Sequence, residues 1–195
     1  MTALNASPPH LVVVLAYDGL CTFEFGCAVE VFSLARPELR PELKTPWYSF
    51  AVAALEAGPL RAQGGIVVQV ERGLEVLAEA DTIILPGWRD ADEPPPAVLL
   101  EALRAAYARG ARLASICSGV FLLAAAGLLD GRRATTHWRY SERLAARGWQ
   151  VELFERHGQP AQEASGNPSG ILLPHLAKDD ALAARLSRAC YLYAL

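Results

Sequence analysis

Leu11 to Ala16 (LVVVLA) is six apolar residues in a row, three of them valine. A strand with one wet face alternates apolar and polar residues, whereas an uninterrupted β-branched run is expected of a strand covered on both faces. Further strands are read at Asp81 to Leu85 (DTIIL) and Ala111 to Ile116 (ARLASI), with helical patterns between them. Strands buried on both sides and alternating with helices predict an α/β domain, doubly wound, with a largely parallel sheet sandwiched by helices.

The remaining punctuation follows the same alternation. Tyr17-Asp18-Gly19 is a turn, and Thr22 is the expected N-cap of a helix carrying Phe23, Cys27, Val31 and Leu34 at helical spacing, stopped by Pro37 and Pro41. Strands are expected at Trp47 to Leu55 and Gly65 to Val70, and a short helix at Gly73 to Ala80. A polar loop from Arg89 to Pro96 leads to a helix from Ala97 to Arg109, closed by Gly110. After the Ala111 to Ile116 strand, a helix is expected from Val120 to Leu129, then an extended Arg133 to His137 and a helix from Tyr140 to Arg147. Further strands are expected at Gln150 to Phe154 and Gln162 to Ser165. The stretch from Ser169 to Leu195 is helical in composition, with Pro174 as an interruption. No repeat or interdomain linker stands out, so one domain over residues 1–195 is expected, with residues 1–9 as a flexible N-terminus.

Composition narrows the function classes. Hydrophobic residues are 52% of the chain and charged residues 20%, enough for a sizeable core. With a net charge of −3 and no basic block, the chain shows no nucleic-acid footprint of its own. No run reaches the roughly 18 apolar residues of a membrane span, and the start MTALNASPPH lacks the features of an export signal. The four cysteines, Cys21, Cys27, Cys117 and Cys190, form no C-x-x-C pair, and the histidines are dispersed. Reduced thiols in the cytoplasm, no metal and no cofactor are the expectations.

In open α/β sheets ligands bind beyond the carboxyl ends of the strands. Four segments bring chemistry there: Glu24 on the first helix, Gly87 and Trp88 after one strand, Cys117 and Ser118 after another, and His137 at the end of a fourth. Cys117 sits where a strand breaks into a helix, so helix amides beside its sulfur should favour thiolate. The amides of Gly87 and Ser118 are candidates for an oxyanion hole. Each residue also has a plainer reading: Cys117 as a small buried hydrophobe, Glu24 as a carboxylate favoured at a helix start, Gly87 as a turn, His137 as structural, Trp88 and Trp138 as core aromatics. Glu30 cannot replace Glu24, because six residues carry it about 240° around the helix.

The segments FEFGCAVEVF (Phe23 to Phe32), LPGW (Leu85 to Trp88) and SICSGVFLLAAAGLLDGRRATTHW (Ser115 to Trp138) together resemble the ThiJ/PfpI superfamily, the class I glutamine amidotransferase-like group, whose fold is flavodoxin-like. With LPGWRDADE included, the chain most resembles the sensor domain of AraC-type transcription regulators, the GlxA/FtrA-like branch, over about Leu11 to Glu155. The resemblance implies that Cys117 is the elbow cysteine and Glu24 its carboxylate partner, with Gly87 on the oxyanion side and His137 nearby. The candidate ligand site is Gly87, Trp88, Cys117, Ser118, His137 and Trp138, with the two tryptophans as walls that could stack on a ligand. Protease-like relatives place histidine directly after the elbow cysteine; here Ser118 stands there.

A small-molecule sensing domain is therefore the first expectation: a metabolite ligand, a homodimer, and DNA contact only through a C-terminal domain that this chain does not contain. The alternative is a cysteine-dependent hydratase or hydrolase, such as an isonitrile hydratase, with Cys117, Glu24 and His137 as the catalytic residues. Oxidation sensing at Cys117 is a third reading.

Overall fold

A computed structural model describes residues 9–34, 48–151 and 171–172. The first apolar run forms strand β1 (His10–Ala16), and it pairs in parallel with β2 (Tyr48–Ala54) on one side and β5 (Thr82–Leu85) on the other. Strand β6 (Arg112–Ile116) runs parallel to β5, and β9 (Ile171–Leu172) closes that edge antiparallel, giving the order β2-β1-β5-β6-β9. Val13, Val14, Leu15, Ile83 and Leu85 are fully or almost fully buried, as runs without alternation require.

Helices cover both faces. On one, α2 (Ala97–Ala108) turns Leu99, Leu103 and Ala106 into the core, joined by α3 (Val120–Ala125). Each such leucine contributes roughly 1.5–3 kcal/mol by leaving water. On the other face, α1 (Thr22–Phe32) lays Phe25, Ala28 and Phe32 over Val12, Val14, Ile84 and Ile116.

Several expected elements are corrected. Thr22 does not cap α1. Cys21 holds the cap position, and the Thr22 hydroxyl instead donates to the Gln63 carbonyl at 2.9 Å. The buried stripe of α1 is also rotated from the expected one: Phe23 and Leu34 are exposed. The helix is apolar on more than one side, so packing against the sheet chose the stripe. The stop at Pro37 and Pro41 lies outside the described residues.

The expected Gly65 to Val70 strand is β4 (Val67–Gln69), and its antiparallel partner β3 (Pro59–Arg61) was not anticipated. The expected short helix at Gly73 to Ala80 is present as a 3-10 helix, Leu74–Ala78. The apolar helix after Cys117 ends at Ala125 rather than Leu129. Gly127 has φ +71°, and the amides of Gly127 and Leu128 close on the carbonyls of Ala124 and Leu123, which terminates the helix.

The Arg133 to His137 segment is strand only at β7 (Arg133–Ala134). It pairs with β8 (Gln150–Val151) in a separate small sheet, so His137 does not end a strand of the main sheet. His137 instead caps α4 (Trp138–Ala146). In the expected C-terminal helix, Ile171 and Leu172 are strand, because the open edge of β6 offers backbone partners. The strand expected at Gln162 to Ser165 and the Pro174 interruption lie outside the described residues.

Candidate functional site

The carboxyl ends of β1, β5 and β6 lie side by side and bring Tyr17, the Pro86-Gly87-Trp88 turn and Cys117 to one edge of the sheet. Cys117 has φ +54°, a left-handed conformation that a residue with a side chain rarely adopts. It is the one described non-glycine residue with positive φ, at a cost of order 1–3 kcal/mol.

Buried contacts hold this bend. The Thr136 hydroxyl donates to the Cys117 carbonyl at 2.8 Å, and the buried Ser118 hydroxyl donates to the Trp88 carbonyl at 2.9 Å. Gly119 lies so close to the preceding turn that a Cβ there would sit 2.3 Å from the Leu85 oxygen and 2.6 Å from that of Pro86. The Tyr17 hydroxyl, fully buried, donates to the Gly87 carbonyl. Two hydroxyls thus pin two successive carbonyls of the turn that faces the elbow.

The α1 side of the site arrives differently. Glu24 stands in the first turn of α1, and the Cys117 thiol is hydrogen-bonded to its carboxylate. The loop leading into α1 is tied to β3 and the turn beyond it by outward-facing polar bonds. Asp18 takes a forked pair of hydrogen bonds from Arg61, and the Gly19 amide donates to the Arg61 carbonyl at 2.8 Å. The Gln63 side-chain amide reaches Cys21 Sγ at 3.7 Å.

Electrostatics reverse one expectation. The helix-start amides were expected to favour thiolate at Cys117, but burial, then the negative charge of Glu24, pushes the thiol up to about 11. The Ser118 amide and hydroxyl pull the other way and do not win. Burial does the same to Cys21, lifted to about 12, with the charges of Glu24 and Cys117 adding to it. Tyr17 is raised by burial as well, then by Cys21 and Glu24, so its proton stays on the hydroxyl that holds Gly87. A thiol donating to a carboxylate is a resting acid–base pair rather than a preformed nucleophile.

Of the residues singled out from sequence, Cys117, Ser118, Glu24 and Gly87 come together. A Cβ on Gly87 would lie 3.2 Å from Ser118 Oγ, 3.3 Å from Glu24 Oε1 and 3.2 Å from Cys21 Sγ, so a side chain there would push these groups apart by a few tenths of an ångström. Trp88 sends its ring into the core. It is 2% exposed, packs on Tyr17 at 4.9 Å, and donates from its indole to the Glu93 carbonyl, so it borders the elbow through its backbone.

His137 Nδ1 accepts the Arg139 amide at 3.2 Å, and its ring lies 6.2 Å from that of Tyr140. The neighbouring Thr136 touches the elbow backbone through its hydroxyl. Trp138 opens α4, and its side chain lies outside the described part of the structure.

Sequence reasoning missed Cys21 and Tyr17. Both signals were available: Tyr17 leaves β1 as Gly87 leaves β5, and Cys21 precedes Glu24 by three residues on the same helical turn.

A parallel α/β sheet with a left-handed cysteine at a strand-to-helix corner, facing a helix-borne carboxylate, defines a cysteine-elbow domain. Residues 10–157 match the DJ-1/PfpI family, and the chain belongs to it. It is 37% identical over 141 residues to an uncharacterised protein encoded in the cpoL 5' region of Streptomyces lividans, covering 71% of this chain and 95% of that protein. A 110-residue stretch is 43% identical to part of the tRNA 5-methylaminomethyl-2-thiouridine biosynthesis bifunctional protein MnmC of Burkholderia vietnamiensis. That match takes in 56% of this chain but only 14% of that protein.

Among solved structures, an AraC family transcriptional regulator from Pseudomonas putida superposes with a TM-score of 0.62 at 19% identity, over 93% of this chain and 98% of that one. Drosophila melanogaster DJ-1beta superposes with a TM-score of 0.62 at 18% identity, over 79% of each chain. At these identities the structural likeness speaks for the fold. No helix among the described residues is long and apolar enough to cross a membrane.

Proposed function

We propose that the domain is a small-molecule sensor of the kind found in AraC-type regulators, with Cys117 as a contact for the signal rather than a turnover nucleophile. The observation that carries this reading is the state of the thiol: half-buried, bonded to Glu24 and raised to about 11, it rests protonated at neutral pH. The Pseudomonas putida regulator with the same fold supports it. The ligand is a small metabolite bound against Gly87, Ser118, Cys117 and the Trp88 backbone, with His137 and Trp138 at the α4 end. In this reading the protein works in the cytoplasm as a homodimer. The exposed Phe23, Ile66 and Val67 support a paired surface. DNA contact belongs to a helix-turn-helix domain outside these 195 residues.

The test is a thermal-shift screen of small nitrogen-containing metabolites, run beside turnover assays on isonitriles, methylglyoxal and small amides. A ligand at 100 times its Kd adds about 2.7 kcal/mol, which raises Tm by roughly 5–10 °C for a domain of this size. Such a shift without turnover is the expected result. Turnover that disappears in Cys117→Ala overturns the sensing reading in favour of the second one.

That second reading is a cysteine-dependent hydratase or hydrolase, and the Glu24–Cys117 hydrogen bond specifically favours it. The carboxylate would take the thiol proton as sulfur attacks an electrophilic carbon, with the Gly87 and Ser118 amides facing the developing charge.

A further inference from the structure

Asp18 lies in the turn that leads from β1 to α1, and so to Cys21 and Glu24. Each of its polar groups is held from another segment. The carboxylate takes the forked pair from Arg61, the amide donates to Glu56 Oε2 at 3.0 Å, and the carbonyl accepts from Arg89 Nη1 at 2.9 Å. The Arg61 end is exposed, whereas the Arg89 side chain is only 22% exposed. Arg89 follows Trp88 on the turn that faces the elbow.

Arg89 joins three segments at once. Besides the Asp18 carbonyl, its Nη1 reaches Glu56 Oε1, beyond β2, at 2.9 Å. Its Nε and Nη2 go to Glu93 Oε1 at 3.0 Å and 2.9 Å, and its guanidinium carbon lies 4.8 Å from the centre of the Trp88 ring. The stem packs on the same turn as the head group, since a Cβ on Gly19 would sit 3.4 Å from Arg89 Cβ. Glu56 closes the circuit, because its two oxygens take Arg89 and the Asp18 amide. A planar fork with several donors suits this task, and lysine, with one nitrogen, does not reproduce it.

We infer that Arg89 is a positioning residue: by holding Asp18 it fixes the β1–α1 turn against the Gly87 turn, and so keeps Glu24 on the Cys117 thiol. Asp18 sets where the turn runs, and the turn sets the start of α1, which has no side-chain cap of its own. Glu24 stands in the first turn of that helix. Cys21, Tyr17 and Tyr140 also lie within electrostatic reach of Cys117, but burial raises all three, which leaves Glu24 as the charge that acts on the sulfur. The sign of the effect separates positioning from simple charge. If Arg89 acted only as a cation, its removal would make Cys117 harder to ionise. If it places Glu24, its removal frees the thiol from the carboxylate and makes ionisation easier. The inference rests on the Glu24–Cys117 pair and holds whether the site senses a ligand or turns one over.

The experiment follows iodoacetamide alkylation of Cys117 against pH in the folded full chain, with peptide mapping. Wild type should titrate with a midpoint of about 11. In Arg89→Met the midpoint should fall by about one pH unit, which is about tenfold faster alkylation at a fixed pH below it. Arg89→Lys should recover part of that shift. In a Glu24→Gln background, Arg89→Met should move the midpoint no further, because the pair it supports is already broken. Arg104→Met, which removes a clamp from α2 onto the Ala126 carbonyl, should leave the midpoint where it is. If Arg89→Met does not fold, Glu56→Gln weakens the same circuit and should shift the midpoint in the same direction by less. A midpoint that stays or rises in the folded variant, beside a wild type that exceeds Glu24→Gln, overturns the inference alone. An equal fall in Arg104→Met or in the Glu24→Gln background also overturns it, as general loosening around the sulfur. A wild-type midpoint no higher than that of Glu24→Gln overturns the resting pair, and the inference with it.

Discussion

The two sides of the crevice are held by different means. On the elbow side the backbone is locked: Cys117 is bent to φ +54°, Gly119 is wedged against the carbonyls of Leu85 and Pro86, and buried hydroxyls from Tyr17, Ser118 and Thr136 grip the backbone. On the α1 side, Cys21 and Glu24 are delivered by a helix with no side-chain cap, fastened through the exposed Asp18–Arg61 pair and Gln63. Exposed pairs of this kind hold position weakly, because water and salt compete for both partners. The lesson is a division of labour. The buried half fixes where the sulfur is, and the outer half sets which groups meet it, its helix being anchored to the sheet farther along by Ala28 and Phe32.

The contrast is broken most severely at Gly119. In Gly119→Ala the new methyl meets backbone oxygens that cannot rotate away, so β5 and the elbow must separate. The expected loss is about 3 kcal/mol or more, read as a denaturant midpoint. A variant as stable as wild type would show that the elbow is not locked there.

A smaller effect is expected of Tyr17→Phe, which leaves the Gly87 carbonyl without its buried donor and costs about 1–3 kcal/mol. It should also loosen the Gly87 turn, seen as faster exchange of the turn amides. Unchanged stability together with unchanged exchange would remove Tyr17 from the lock.

The smallest change in fold stability, and the clearest change in chemistry, belongs to Glu24→Gln on the outer half. Below about pH 9 both the folded and unfolded chains keep the Cys117 proton, so this group leaves stability flat there. Between 9 and about 11 the unfolded chain releases the proton first, and stability falls as pH rises. Glutamine removes the negative charge that helps raise the thiol. The alkylation midpoint of Cys117 should move down from about 11, and the alkaline loss of stability should shrink. An unmoved midpoint would mean that burial alone sets the thiol.

Much of the fold was legible because strand burial leaves a direct mark. LVVVLA could be little else than a strand covered on both faces, and β1, β5 and β6 stand close to where their apolar runs predict them. Helix ends were legible where glycine closed them, as at Gly110, and misread where the same signal at Gly127 was passed over inside an apolar run. The buried face of α1 was misread because Phe23, Phe25, Val31 and Phe32 are all apolar. Periodicity cannot choose a face when more than one qualifies.

By itself the sequence determined the layered α/β architecture, the corner at Cys117 and the family to which the chain belongs. Those features are local, written in runs of residue type and in motif residues close together along the chain. Only the tertiary structure decided that Cys21 shares the crevice, that Trp88 turns into the core, that His137 caps a helix, and that Cys117 rests as a thiol. Except for the His137 cap, which closes on Arg139 two residues on, these depend on burial and on the distance between residues far apart in sequence. Desolvation and a neighbouring carboxylate outweigh the helix amides at the sulfur, and no local pattern carries the depth or the neighbours that settle that balance.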